Sequence, residues 1–464
     1  MSKKLWEFLT LRKALFIVGE GVLIYLSVLV ATVLLWRSPF SVLVQPVYVL
    51  KMLLITGVIQ VVLYFNDLYE IRKKDDLVVI TRRVGRAMGI SCILLAGIYA
   101  LFPSVMLGKG IVIFSLFVLS LFIGSWRLLY AFSIKRHIMT ERILLLGLGK
   151  LSSDIAREIV ERKDLAYNIV AIATIHDAPQ VPEGLRHARI KHGYEDLYPF
   201  VAEENVECII AAMDERRGAF PVDELLRCKV NGIEILDGAD FYERVTGKLI
   251  VERIKPSWLI FSDGFRTSYM RRFFKRILDL ACSLGGLIVL SPLLGITALL
   301  IKLESRGPVL FAQERLGRNE KPFMLYKFRS MRTDAEKNTG PVWAGEDDPR
   351  ITRIGKFIRK TRIDEIPQLW NVLKGEMSIV GPRPEREFFV KKLEEKIPYY
   401  AQRFCVKPGL TGWAQIMFSY GATEEDAAEK LRYELYYIKN MTIIFDLVII
   451  FATLKTVILR RGAQ

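Results

Sequence analysis

The chain has 464 residues, too many for one ordinary hydrophobic core, so we expect roughly two to four domains. Hydrophobic residues make up 52% of the chain and charged residues 25%, a combination that argues against a purely soluble protein and indicates membrane segments joined to soluble domains. The formal net charge of +16 indicates an anionic partner. Anionic lipid headgroups and phosphorylated substrates fit a membrane protein better than nucleic acid, so no nucleic-acid partner is expected.

The N-terminal part opens with apolar runs, which predict a four-helix transmembrane bundle over residues 1–139. The runs lie at roughly 14–35, 47–65, 87–102 and 111–132. Glu20 interrupts the first run, so its carboxylate should face the bundle or reach the interface rather than contact lipid. Lys and Arg are concentrated before the first run, between the second and third runs, and after the fourth. By the positive-inside rule, both ends of the bundle are therefore cytoplasmic.

From about residue 140 short apolar strands alternate with helices, which predicts a Rossmann-like α/β domain over residues 140–262. Gly147 and Gly149 lie at the first strand-to-helix turn, where a dinucleotide fingerprint would begin, but Ser152 occupies the third glycine position. Two interpretations stay open. The glycines either contact a nucleotide or only allow the helix to pack on the strand, and the second is favoured.

Residues 280–301 form a further apolar stretch that is interrupted by Ser291 and Pro292. Proline removes a helix hydrogen bond and kinks the chain, and the Ser291 hydroxyl can satisfy a freed carbonyl. Basic residues flank the stretch on both sides, so both of its ends should be cytoplasmic. We therefore predict a re-entrant helix over 272–303 that enters one leaflet and returns, with a proline-kinked full span as the alternative.

The most informative segment contains the adjacent carboxylates Asp364 and Glu365, which follow a basic run and precede a Gly-Pro-Arg-Pro turn at 381–384. One carboxylate can attack phosphorus, its neighbour can hold a divalent cation, and the basic residues can neutralise phosphate oxygens. All four histidines precede residue 193, so carboxylates must serve in any C-terminal site. The sequence alone does not say which acid attacks, and an isolated Asp-Glu pair is more often an ordinary helix start.

Several ordered motifs between residues 270 and 460 resemble the core of the bacterial monotopic phosphoglycosyl transferases. The motifs are KRILD at 275–279, QERLG at 313–317, YKFRSM at 326–331, DPRITRIG at 348–355, the Asp364 segment, and KPGLTGWAQ at 407–415. The resemblance implies that a sugar 1-phosphate moves from a UDP-sugar to polyprenyl (undecaprenyl) phosphate with release of UMP. This reaction would be the first membrane step of exopolysaccharide, O-antigen or capsule synthesis. Glu434 departs from the family, which often has Asp there.

The resemblance also implies an architecture and a location. A mostly helical catalytic domain over residues 263–464 would contain the re-entrant helix, and it would face the cytoplasm at the bacterial inner membrane. The implied partners are a UDP-sugar, polyprenyl phosphate and the lipid bilayer. Further expected partners are downstream glycosyltransferases and a second copy of the chain, which would form a homodimer. The identity of the sugar and the polysaccharide pathway do not follow from the sequence.

At the matching positions, the resemblance implies that Asp364 is the nucleophile of a ping-pong mechanism and carries the phosphosugar as an acyl phosphate. Glu365 would hold the cofactor Mg²⁺. The candidate substrate-binding residues are basic: Lys327, Arg329, Arg359 and Arg383. A basic surface that contacts lipid headgroups is the alternative for Arg329 and Arg359, and a rigid turn is the alternative for Arg383.

Two other functions were weighed. A membrane-anchored nucleotide-sugar dehydratase or epimerase also joins four membrane helices to a Rossmann domain, but it needs a Tyr-x-x-x-Lys pair after the glycine fingerprint. Here Tyr69 and Lys73 have that spacing but precede the α/β domain. A non-catalytic scaffold for polysaccharide assembly is the second alternative, and the complete set of acidic and basic motif residues argues against it.

Overall fold

The computed structural model describes residues 11–36, 45–69, 77–108, 110–135, 140–162, 167–175, 188–213, 220–251, 268–332, 348, 350–418 and 423–459. The chain divides into two compact units, Met1–Thr246 and Gly247–Gln464. The second unit begins earlier than the predicted boundary at 263, because residues just after 246 bond within it. The indole N–H of Trp413 donates to the Gly247 carbonyl at 2.8 Å, and the Leu249 N–H donates to the Arg432 carbonyl at 3.1 Å.

The first unit opens with four apolar helices, as predicted for a membrane protein. They are α1 (Leu11–Trp36), α2 (Pro46–Phe65), α3 (Leu77–Leu101) and α4 (Ile111–Lys135). The stretches Ile17–Leu35, Pro46–Phe65 and Thr81–Leu101 are each long and apolar enough to cross a bilayer, whereas Ile111–Trp126 is a shorter apolar stretch. Glu20 is fully buried among these helices, as expected for a carboxylate that avoids lipid.

The remainder of the first unit is a Rossmann-like α/β domain. Its elements are β1 (Glu141–Leu146), α5 (Lys150–Glu161), β2 (Tyr167–Thr174), β3 (Arg189–His192), α6 (Leu197–Glu203), β4 (Cys208–Ala211), α7 (Val222–Val230), β5 (Glu234–Asp237) and α8 (Gly238–Thr246). The strands are parallel in the order β3-β2-β1-β4-β5, so the chain winds outward in both directions from β1. This topology confirms the predicted domain type.

The glycine-containing turn after β1 is explained by packing within the domain. Gly147 has a φ of +95°, and a Cβ added there would lie 2.7 Å from Cγ of Met213, so only glycine fits. Ser152, in the third glycine position, accepts a hydrogen bond from the Gly149 N–H at 2.7 Å and closes the start of α5. These contacts are those expected from the packing interpretation.

The second unit is mostly helical with two small sheets. Its elements are α9 (Tyr269–Glu304), β6 (Leu310–Leu316), β7 (Pro322–Phe328), α10 (Arg353–Lys360), α11 (Gln368–Lys374), β8 (Ser378–Val380), α12 (Glu387–Glu394), β9 (Gly409–Thr411), α13 (Trp413–Met417), α14 (Glu424–Asn440) and α15 (Ile443–Ile458), with 3₁₀ turns at Arg318–Glu320, Ile363–Glu365 and Tyr400–Cys405. Strands β6 and β7 are antiparallel, and β8 and β9 are parallel.

Helix α9 contains the predicted re-entrant segment. It is 36 residues long, Pro292 lies inside it, and the Ser291 hydroxyl donates to the Ile288 carbonyl at 2.8 Å. Most of its apolar side chains are exposed on the surface of the protein, among them Phe273, Ile288, Val289 and Leu299. An exposed apolar surface of this size indicates contact with the membrane.

The start of α9 is bonded to the rest of the second unit by charged side chains. Lys275 donates to the Asp446 carboxylate on α15 at 2.8 Å. The Arg276 guanidinium donates to the last carbonyls of α11, at 2.7 Å from the Val372 oxygen. Asp279 is buried and accepts hydrogen bonds from β8. Helix α15 is thus bonded to the start of α9 through the buried Asp446.

The end of α9 is anchored to other elements of the same unit. Ile301 is buried in a cluster with Phe328 of β7 and Ile358 of α10. The Glu304 carboxylate accepts the N–H of Ile354 at 3.1 Å. Both ends of this apolar helix therefore contact one folded unit.

Candidate active site

The adjacent carboxylates Asp364 and Glu365 lie in a 3₁₀ turn between α10 and α11. Thr352 starts α10 by accepting a hydrogen bond from the Gly355 N–H at 2.9 Å, and Arg362, with a φ of 59°, ends it in the left-handed region. The reversal at Arg362 turns both acids inward, and they are only 8% and 9% exposed. Buried carboxylates are costly unless cations neutralise them, so the neighbouring charges decide what this pair can do.

Glu365 is neutralised by three cations. Its Oε1 atom lies 3.1 Å from the Lys327 ammonium and 2.7 Å from the Arg383 guanidinium, and its Oε2 atom lies 4.0 Å from the Arg362 guanidinium. Burial alone would raise the pKa of Glu365, but the charges of Arg383 and Lys327 outweigh it and hold that pKa well below its usual range. Glu365 is therefore ionised at any working pH and joins β7 to the loop at residues 382–384.

Asp364 has a different environment. Its carboxylate forms no hydrogen bond or ion pair with the residues that the structure describes. Burial, and then the adjacent Glu365 charge, raise its pKa to about 6, while Lys327, Arg359 and Arg383 act in the opposite direction. A carboxylate that is unbonded among the described residues, buried and ionised above about pH 6 is chemically available, because no contact has to be broken before it reacts with a ligand.

The structure brings two of the predicted basic residues into direct contact with the pair. Lys327 and Arg383 both bond to Glu365. Arg359 lies on α10, close enough to lower the pKa of Asp364 by its charge, and its half-buried guanidinium is unbonded among the described residues. A phosphate that approaches Asp364 would therefore meet the free guanidinium of Arg359 as well as the two bound cations.

Arg329 is used elsewhere. Its side chain is 6% exposed and donates to the Ser305 carbonyl and hydroxyl at 2.8 Å each and to the Arg306 carbonyl at 3.1 Å. A buried guanidinium needs acceptors, and the turn that follows α9 supplies them. Arg329 therefore secures the turn between α9 and β6, and its predicted phosphate contact stays a prediction.

A buried ion pair supports the loop that carries Arg383. Arg403 donates to both carboxylate oxygens of Glu434, at 2.8 and 2.7 Å, and to the Arg383 carbonyl at 2.8 Å. The Arg383 N–H is 3.4 Å from the same carboxylate. The partners are 31 residues apart in the sequence, so their pairing could not be read from spacing. Glu434 thus holds the backbone from which Arg383 reaches Glu365.

The donor atoms that remain at the pair suit a divalent cation. Oε1 of Glu365 is taken by Lys327 and Arg383, whereas the contact of Oε2 with Arg362, at 4.0 Å, is longer than a hydrogen bond. That oxygen and the Asp364 carboxylate are hard donors. Mg²⁺ is commonly held by one or two carboxylates together with substrate phosphates, so the chemistry of the pair fits this ion.

Comparison with known proteins identifies a family whose sequence profile covers the candidate site. Residues 270–460 match the sequence profile of a family described as bacterial sugar transferase. The chain is 40% identical over 240 residues to the UDP-N-acetylgalactosamine-undecaprenyl-phosphate N-acetylgalactosaminephosphotransferase of Aeromonas hydrophila. This match covers 52% of this chain and 56% of the relative. It is 35% identical over 338 residues to the undecaprenyl-phosphate glucose phosphotransferase of Komagataeibacter xylinus, covering 70% of this chain and 60% of that protein. The matches thus span less than two thirds of these two relatives.

A shorter relative is matched almost completely. The exopolysaccharide production protein PSS of Rhizobium leguminosarum bv. phaseoli is 47% identical over 191 residues, which is 40% of this chain and 96% of that protein. The similarity therefore extends over an entire relative and is not confined to a local motif. The chain belongs to the bacterial sugar transferase family.

Proposed function

We propose that this protein is a phosphoglycosyl transferase that moves a sugar 1-phosphate from a UDP-sugar to polyprenyl phosphate. The observation that carries the proposal is the unbonded, buried Asp364 carboxylate beside Glu365, whose charge is held by Lys327 and Arg383. The names of two relatives point to undecaprenyl phosphate as the acceptor, and one also names a UDP-sugar. Products of this kind start a surface polysaccharide.

In the first step, Asp364 attacks the phosphorus that bears the sugar. A bond forms between a carboxylate oxygen and this phosphorus, and the bond from phosphorus to the bridging oxygen breaks. The electron pair of that bond leaves with UMP, and the sugar phosphate stays on Asp364 as an acyl phosphate. Arg359 and the cations around Glu365 stabilise the negative charge on the phosphoryl oxygens.

In the second step, a phosphate oxygen of polyprenyl phosphate attacks the same phosphorus. The bond to Asp364 breaks and its electron pair returns to the carboxylate, so the enzyme is regenerated and a polyprenyl diphosphate sugar is released. Because the chemistry uses one carboxylate twice, the two substrates bind in turn. Mg²⁺ held by Glu365 would supply further neutralisation of the pyrophosphate when it is bound.

The contacts of α9 favour a re-entrant helix over a full span. A straight α-helix would carry residues 276 and 301 roughly 38 Å apart, more than the hydrocarbon thickness of a bilayer. The elements that hold these two residues are nevertheless bonded to each other. Arg276 bonds to Val372 on α11, and the neighbouring Asn371 bonds to Tyr326 on β7, the strand whose Phe328 packs against Ile301.

A full span would therefore place bonded neighbours on opposite sides of the membrane. It would also carry the basic helix α10, whose sequence is RIGKFIRK, into or across the bilayer. A hairpin that bends near Pro292 keeps both ends and the Asp364 site at one surface. With the positive-inside distribution of Lys and Arg, that surface is the cytoplasmic face of the inner membrane, where soluble nucleotide sugars and a lipid phosphate can meet.

The proposal is tested by incubating detergent-purified protein with Mg²⁺, undecaprenyl phosphate and a panel of UDP-sugars, and by measuring UMP. We expect UMP with at least one sugar, and a covalent sugar-phosphate adduct on Asp364 when the lipid is omitted. Absence of UMP with the whole panel would exclude the proposal and leave the scaffold interpretation. Tight binding of NAD by the purified protein would instead favour the dehydratase or epimerase alternative.

A further inference from the structure

Gln368, three residues after Glu365, carries a buried amide nitrogen for which the described residues offer no partner. It is the first residue of α11, and its side chain is 3% exposed. Among the residues that the structure describes, its Nε2 atom has no hydrogen-bond partner, and this atom is inaccessible to solvent. Buried amides are nearly always bonded to protein or water, so an unbonded one only three residues after Glu365 requires an explanation.

The backbone geometry places Gln368 on the same face as Glu365. The N–H groups of Ile366, Leu369 and Trp370 each bond to the carbonyl three residues earlier, so this segment winds with about three residues per turn. Residues 365, 368 and 371 therefore lie one above the other. Glu365 and Asn371 both bond to β7, through Lys327 and Tyr326, and Gln368 lies between them on that face.

Asn371, three residues after Gln368 on the same helix, has a side-chain amide that is hydrogen-bonded within the fold. Its Nδ2 atom donates to the Met324 carbonyl and to the Glu376 carboxylate, both at 2.7 Å, and its Oδ1 atom accepts the Tyr326 N–H at 3.2 Å. Asn371 thus takes two backbone groups of β7, the Met324 carbonyl and the Tyr326 N–H. The Gln368 amide lies one turn closer in the chain to the carboxylate pair, and its Nε2 atom has no partner among the described residues.

We infer that the Gln368 amide binds the phosphoryl group that Asp364 accepts, by donating a hydrogen bond to one of its oxygens. The inference rests on the proposed function and adds a neutral donor to the cations already identified. A neutral amide can hold a phosphoryl oxygen without lowering the nucleophilicity of Asp364 by charge, as an added cation would. The free amide of the resting enzyme is then a group kept unbonded for the substrate.

Gln368→Met tests this inference because it keeps the length of the side chain and removes both polar atoms. If the amide serves only the substrate, the variant should be as stable as the wild type or more stable, since it buries no unsatisfied group. Its rate of UMP release in a single turnover should fall by about 100-fold, the usual effect of removing one oxyanion donor. Measurements use the 464-residue chain in detergent and a UDP-sugar that the wild type consumes.

Two control variants are compared with Gln368→Met in stability and in the rate of UMP release. Asn371→Leu removes a fully bonded amide from the same helix and should clearly lower the melting temperature. Gln402→Met changes an exposed glutamine and should alter neither stability nor rate.

Unfolding of the Gln368→Met protein would overturn the inference, because it would show that the amide is needed by the fold. A single-turnover rate equal to that of the wild type would also overturn it, while the proposed function would stand. If the wild type itself released no UMP with any sugar, the proposed function would fail and this inference with it.

Discussion

Replacing Asp364 by Asn should abolish turnover and at the same time make the protein more stable at neutral and alkaline pH. Asn has nearly the same shape but is a poor nucleophile, so neither UMP nor a covalent adduct should form. The gain in stability follows from the cost of keeping this carboxylate charged in a buried site. The native structure raises its pKa from 3.8 to about 6, with burial as the main cause.

The size of the gain can be worked out from that shift. One pKa unit corresponds to about 1.4 kcal/mol, so ionising Asp364 in the folded protein costs roughly 3 kcal/mol more than in the unfolded chain. Because the pKa in the folded state is raised, the contribution of Asp364 is fully present below the unfolded pKa and is lost as the pH rises through about 6. Asp364→Asn should therefore be more stable by up to roughly 3 kcal/mol at pH 8 and equal to wild type near pH 3.

The assay is chemical unfolding of both proteins in the same detergent at several pH values, combined with single-turnover UMP release by the wild type. The wild-type rate should rise with pH and level off above about 6, as the Asp364 carboxylate ionises. An Asn variant that is less stable than wild type at pH 8 would refute the reasoning, since Asp364 would then be held by contacts that stabilise its charge. Measurable adduct on the Asn variant would refute the assignment of the nucleophile.

The parts of this molecule that could be predicted from the sequence are those whose signal is local. The apolar helices, the strands of the Rossmann-like domain and the Asp364–Glu365 pair each depend on residues that are close together in the chain. The sequence pattern does not indicate strand β3, Arg189–His192. This strand is polar, lies at the edge of the sheet next to β2, and shows no apolar alternation. Strand β3 is recognised only in the folded sheet, where it pairs with β2 at the edge.

Roles that depend on distant partners could not be predicted in this way. Lys327 and Arg329 come from the same short motif, yet one bonds to Glu365 and the other to the turn at residues 305–306. Nothing in the motif distinguishes them, because the difference is set by which acceptors the fold brings to each guanidinium or ammonium group. The Arg403–Glu434 pair and the unbonded amide of Gln368 are likewise properties of packing.

Three further predictions concern residues that support the site. Glu434→Gln should destabilise the protein by about 3–5 kcal/mol, because it leaves a buried guanidinium uncompensated, whereas Glu434→Asp should lose less; unfolding curves compare the two. Arg329→Met should lower the free energy of unfolding by on the order of 3 kcal/mol, while the protein that remains folded keeps its single-turnover rate. A loss of rate without a loss of stability would instead indicate that Arg329 contacts the phosphate. Pro292→Ala should restore helix hydrogen bonding and favour a straight span. Single cysteines at Ser268 and Arg332, on a background without the native cysteines, report this change in whole cells treated with an impermeant thiol reagent. Both should stay unlabelled with Pro292 in place, since the hairpin keeps both ends of α9 in the cytoplasm. With Ala at 292, the second should become labelled and activity should fall. Labelling of position 332 from outside while Pro292 is present would mean that α9 crosses the bilayer, and a site at the cytoplasmic surface would then have to be abandoned.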